Sequence, residues 1–106
     1  MKRGPRPSVS IVIPTRDRCA DLQHTLETVI AQDYPQGCCE VIVVDDGSKD
    51  DTPAVVERLE SAARGSGKLL RRLSSGGRGT NAAVNLGVES CAAEVIVTMG
   101  DGTGTP

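Results

Sequence analysis

The sequence predicts an α/β domain of three layers, a mostly parallel four-stranded sheet with helices on both faces. Three observations carry that expectation. Short β-branched runs at residues 9–13, 41–44 and 95–97 alternate with longer stretches of helical spacing. Clusters of Gly, Pro and Asp separate them. The 106 residues, 38% apolar with Phe and Trp absent and Tyr34 the one aromatic, suit one small domain with an aliphatic core of Val, Ile, Leu and Ala.

Residues 1–7, basic and rich in Pro and Gly, read as a flexible tail, and the domain runs from residue 8 to residue 106. Val9-Ser10-Ile11-Val12-Ile13 forms the first strand and stops at Pro14. A helix starting at Thr15 or Asp17 places Leu22, Leu26, Val29 and Ile30 on one stripe, and the turn of residues 33–37 ends it. Val41-Ile42-Val43-Val44 is an unbroken β-branched run, expected of a strand covered on both faces. Thr52 and Pro53 read as N-cap and first turn of a second helix, with Val55, Leu59 and Ala62 on its apolar side. Gly65-Ser66-Gly67 breaks that helix, and residues 68–73 form a weaker strand near a sheet edge. Residues 74–79 are a flexible glycine loop, a small-residue helix spans about residues 80–90, and residues 95–99 are the fourth strand. The β-α-β-α-β-α-β order implies parallel pairing with right-handed crossovers. In such sheets ligands gather at the carboxyl ends of the strands.

Composition removes several classes. The 14 acidic against 12 basic residues argue against a nucleic-acid partner, which calls for a basic field. No apolar run approaches the ~20 residues of a membrane span, and residues 9–13 are too short for a signal peptide. Cys19, Cys38, Cys39 and Cys91 contain no CxxC pair and His24 is the one histidine. The expectation is free, mostly buried thiols with neither zinc nor disulfides, in an intracellular domain.

The carboxyl ends of the strands carry the chemistry. Asp45 and Asp46 follow a buried strand, where a carboxylate can bond a base imide or ribose hydroxyls; equally, Asp45 can cap the turn and Asp46 lead into it. Asp50 and Asp51, beside a helix start, read as caps that complement the helix dipole. Asp101, between Gly100 and Gly102, can meet a metal or simply form a turn. Arg16 and Arg78 are loop cations that can face a diphosphate. Asn81 and Asn85 share a helix face, and His24 lies opposite the apolar stripe of its helix, exposed and inert. Gly77-Arg78-Gly79-Thr80-Asn81-Ala82 also fits the G-x-G-x-x-A dinucleotide pattern, with Asp101 about 20 residues on, so a non-catalytic Rossmann-like nucleotide- or dinucleotide-binding module is the alternative.

Taken together, VSIVIPTRDR, EVIVVDDGSKDDT and RGTNAAVNLGVESCAAEVIVTMGDG resemble family 2 glycosyltransferases of the GT-A fold, including the branch similar to dolichol-phosphate mannosyltransferases. The resemblance runs from about residue 8 to the last residue and rests chiefly on the DDGS-x-D-x-T stretch. It implies a Rossmann-like GT-A half-domain that binds a nucleotide diphosphate sugar, a UDP- or GDP-sugar. On it, Pro14, Thr15 and Arg16 match the loop holding nucleobase and ribose, Asp46 matches the residue that bonds the base with Asp45 beside it, and Gly79 and Asn85 line the donor pocket. Asp101 stands in the Asp-x-Asp segment that carries a divalent metal, Mg²⁺ or Mn²⁺, on the donor diphosphate. Arg16 replaces the usual aromatic, Val84 stands where an arginine is common, and Gly100-Asp101-Gly102 retains one acid of the metal motif.

The implied parent reaction moves a hexose from the donor to a lipid-phosphate or saccharide acceptor. No residue here matches the catalytic base, which in the family comes later with the acceptor half and any membrane-contacting segments. The expectation is a donor-binding portion that alone turns over no substrate, cytoplasmic or at the cytoplasmic face of a membrane in a longer parent.

Overall fold

The computed structural model describes residues 9–32, 39–91 and 95–98. Seven elements follow in order: β1 (Val9–Thr15), α1 (Cys19–Ala31), β2 (Cys39–Asp45), α2 (Thr52–Gly65), β3 (Lys68–Ser74), α3 (Thr80–Glu89) and β4 (Val95–Thr98). The tail of residues 1–7, the turn of residues 33–37, Cys38, and Met99 with the Gly100-Asp101-Gly102 segment lie outside the described residues.

The strands form one sheet in the order β3-β2-β1-β4, parallel throughout. Period-two alternation sends successive side chains to opposite faces. Ile11, Ile13, Val41, Val43 and Leu70 point to one face, where they meet Leu22, Leu26 and Val29 of α1 and Val56 and Ala63 of α2. Val12, Ile42 and Val44 point to the other and meet Ala83 and Leu86 of α3. The domain therefore has the expected three layers. Every residue of β2 is buried, as a β-branched run between two helical layers requires. β3 sits at an edge, with Leu69 57% exposed and Arg71 and Arg72 also outward.

Two buried charges tie neighbouring elements together. Lys68 Nζ donates to the carbonyls of Ile30 at 2.9 Å and Gln32 at 2.8 Å, placing a cation on the carboxyl end of α1, where the helix dipole favours it. Glu40 accepts from the Ser10 hydroxyl at 2.8 Å and from Arg71 at 3.2 Å. Among the described residues, no buried side-chain nitrogen or oxygen lacks a partner.

Several local expectations are corrected. β1 does not stop at Pro14 but continues to Thr15, whose carbonyl accepts the Asp46 N–H at 2.9 Å. Since backbone direction alternates, Pro14 points to the β4 side, past the last register pair Val12–Thr98, so its missing N–H empties no described ladder position. α1 starts at Cys19, not at Thr15 or Asp17, because Asp17 adopts a left-handed conformation (φ 53°). Thr52 is inside α2, not its cap, and the buried stripe of α2 is Val55, Val56 and Ala63 while Ala62 is exposed. Of the described thiols, Cys39 is buried whereas Cys19 and Cys91 are only half-buried; all three are free. No described helix is long and apolar enough to cross a membrane.

Candidate functional site

Thr15, Asp45 and Ser74 lie in one register row at the carboxyl ends of β1, β2 and β3. From β1 the chain steps outward through β2 to β3 and then returns to the far side of β1 as β4. The direction of winding therefore reverses between β1 and β4, and loops diverging at such a point leave a crevice.

Asp46 emerges from β2 only 5% exposed. Its Oδ1 accepts the Ser75 hydroxyl at 2.7 Å and its Oδ2 accepts the Gly79 N–H at 2.9 Å. The Ser75 hydroxyl is the main influence holding the carboxyl below its ordinary value; burial opposes it, and the N–H groups of Gly79, Arg78 and Gly77 add to the lowering. Asp46 is thus an ionised carboxylate turned toward the glycine loop. That loop is an ordered cradle around a negative charge.

Asp45 does different work. Its Oδ1 accepts the Ser48 N–H at 2.8 Å and its Oδ2 meets Arg72 at 3.4 Å, so it shapes the turn that presents Asp46. Gly47 turns with φ +84°, and a Cβ there would stand 3.4 Å from the backbone of Gly77. The acidic turn and the glycine loop therefore meet main chain to main chain.

A second clasp joins the loop after β1 to the same turn. The Asp17 N–H donates to Ser48 Oγ at 2.8 Å, and Asp17 Oδ1 accepts the Lys49 N–H at 2.6 Å. This fixes the backbone beside Arg16, whose side chain is exposed. Asp50, expected as a dipole cap, meets the starts of two helices at once. Its carboxylate accepts the Thr52 N–H at 3.0 Å, the Thr52 hydroxyl at 2.5 Å and the Cys19 N–H at 3.0 Å. Burial pushes the Asp50 carboxyl up, but the bonds from Thr52 and Cys19 outweigh it and the net direction is down. Burial, then the Asp50 carboxylate, pushes the Cys19 thiol up. Asp51 is exposed and makes no side-chain cap bond.

Beside this cluster lies an open hollow of about 630 Å³ lined by Ser74, Ser75, Arg78, Asn85 and Glu89. The structure thus brings Thr15, Asp45, Asp46 and Gly79 into one bonded group, with Pro14 in the adjoining strand end. Asn85 stands apart on the hollow, where Ser75 is the residue common to both. His24 is exposed on α1. Sequence reasoning missed Ser75, Arg72 and the Asp17–Ser48 clasp; a serine directly after a strand and facing an acidic turn was the available signal for the first.

Among the described residues no three His, Cys, Asp or Glu side chains gather for a metal. Asp101 lies outside the described residues.

The lowered carboxyls of Asp46 and Asp50 make stability depend on acid. A group held lower in the folded than in the unfolded chain stabilises above its unfolded pKa, 3.8 for both, and that contribution is lost as pH falls through the folded value. Urea midpoints are therefore expected to hold steady above about pH 5 and to fall below about pH 4. The fall should be shallower in Asp50→Asn, and a variant curve parallel to wild type would refute the assignment.

The parallel α/β architecture is shared with GT-A glycosyltransferases. The chain belongs to glycosyl transferase family 2, whose family model matches residues 10–101. Glycosyltransferase AglE of Haloferax volcanii is 31% identical over 100 residues, covering 94% of this chain and 32% of that protein. The undecaprenyl-phosphate 4-deoxy-4-formamido-L-arabinose transferase of Pseudomonas syringae is 32% identical, covering 93% of this chain and 29% of that enzyme. Among solved structures, mannosyltransferase PcManGT from Pyrobaculum calidifontis, in complex with GDP-Man and Mn²⁺, superposes with a TM-score of 0.78 at 29% identity, over 91% of this chain and 28% of that one. The chain thus spans about a third or less of the length of these relatives.

Proposed function

We propose that this domain binds the nucleotide of a sugar donor for a family 2 glycosyltransferase that moves a hexose to a lipid-phosphate or saccharide acceptor. The observation that carries the reading is Asp46, an ionised and nearly buried carboxylate fixed at the carboxyl end of β2. A carboxylate so held can accept the imide N–H of a nucleobase through its unused lone pairs, a charge-assisted bond. Asp45 keeps the turn in shape, Pro14, Thr15 and Arg16 form the neighbouring wall, and Gly79 and Asn85 line the opposite side. Arg16 can lay its guanidinium plane on the base in place of an aromatic ring. These residues bind and orient; a base to activate the acceptor is not among those described. The Mn²⁺ and GDP-Man bound to PcManGT support the same reading, with Asp101 the residue proposed toward a divalent cation.

The dinucleotide alternative is less well supported. Its G-x-G-x-x-A run does open a helix, but it follows the edge strand β3, and the Gly79 N–H that would meet a pyrophosphate is engaged by Asp46. Calorimetric titration of the chain with GDP, UDP and NAD, with and without Mn²⁺, tests the choice. GDP or UDP should bind and NAD should not; NAD binding without GDP or UDP binding would overturn the proposal.

A further inference from the structure

We propose that Ser75 is the positioning residue for the base-binding carboxylate: its hydroxyl locks Asp46 against the glycine loop while its main chain ties the loop to Asp45. This rests on the nucleotide reading above. Ser75 is 9% exposed, its N–H donates to the Asp45 carbonyl at 3.0 Å and its hydroxyl donates to Asp46 Oδ1 at 2.7 Å. A serine hydroxyl has a single proton, and here that proton is committed to Asp46. The carboxylate oxygen keeps further acceptor capacity, so Ser75 fixes its direction without blocking a ligand. Ser75 also lines the hollow with Arg78 and Asn85, so one residue touches both parts of the donor site.

The Ser75 hydroxyl is also the main influence keeping the Asp46 carboxyl low. The charged groups on the surrounding elements are Arg16 and Asp17 after β1, Asp45 and Lys49 on the same turn, Arg72 on β3, Arg78 in the glycine loop and Glu89 on α3. Arg72 is paired with Asp45, and Asp17 accepts from the Lys49 main chain. Without the Ser75 hydroxyl the Asp46 carboxyl rises, so protonation and loss of a base-accepting charge begin at higher pH.

The test uses the full 106-residue chain, its Ser75→Ala variant and Ser75→Thr, which restores the hydroxyl. GDP and UDP titrations across about pH 4 to pH 8 are paired with a carbon-13 titration of the Asp46 carboxyl in nucleotide-free protein. Ser75→Ala should lose about tenfold in affinity at neutral pH, with its acid limb moved upward, and Ser75→Thr should recover both. The carboxyl titration should move up in Ser75→Ala and return in Ser75→Thr. If wild type binds neither nucleotide, the donor reading fails, yet the carboxyl titration still decides the role of Ser75. An Asp46 titration unmoved by Ser75→Ala overturns the proposal. Should Ser75→Ala fail to fold, Ser75→Cys carries the weaker thiol donor and must shift the titration the same way; no shift there overturns it too.

Discussion

In an Asp46→Ala variant, affinity for GDP and UDP is expected to fall ten- to hundredfold, roughly the effect of losing one charge-assisted bond together with the order it imposes. Two losses combine. On the proposed reading the nucleobase loses its acceptor, and the Ser75 hydroxyl and Gly79 N–H lose theirs, so the glycine loop no longer has the charge it bonds to. Asp46→Asn is the milder change. Its amide oxygen still accepts one loop donor, but its NH₂ stands where the other donor needs an acceptor, so it should bind weakly as well and loosen residues 75–79. Asp51→Ala, exposed on the adjoining turn, should leave affinity unchanged. The measurement is calorimetric titration of each variant, and wild-type affinity in Asp46→Ala would remove the nucleotide reading.

The largest effect on stability is expected from Gly87→Ala. An added Cβ would stand 2.4 Å from Val12 Cγ1 and 3.1 Å from Val44 Cγ2, distances that a packed core cannot keep. Both valines are fully buried in strands with partners on either side, so neither can retreat freely. The helix must lift, at about 1–3 kcal/mol, which for a domain near this size lowers Tm by roughly 5–20 °C. Val12→Ala in the same chain opens the colliding space, and the double variant should be more stable than the sum of the single losses, a coupling read from denaturant midpoints. Simple additivity would mean that α3 does not sit where Gly87 places it.

The parts of the fold that could be read from sequence were those settled by neighbours in the chain. The run Val41-Ile42-Val43-Val44 is a central strand because β-branched side chains on both faces admit little else, and Leu22, Leu26 and Val29 share a face by spacing alone. What escaped was decided across the chain. Asp17 looked like a helix start, but its carboxylate is taken by the Lys49 N–H 32 residues away and its backbone turns left-handed to reach it. Ser75 looked like part of a loose glycine stretch, because only the folded sheet brings Asp46 beside it. Residues 68–73 were legible as an edge strand, but not that Lys68 caps α1 and Arg72 steadies Asp45. For the site, the position of the acidic turn was legible. Its division of labour, Asp45 for the turn and Asp46 for the loop, follows from which donors the third strand delivers.

The two faces of the sheet are unequally covered. Among the described residues, eleven buried ones join α1 and α2 to one side, whereas four hold α3 to the other. Opening free energy scales with the contacts that must be broken, so α3 and the cradle at its start form the unit that breathes first, ahead of the rest of the domain. Its backbone amides would trade protons with water soonest, and their exchange should slow when a nucleotide binds as proposed.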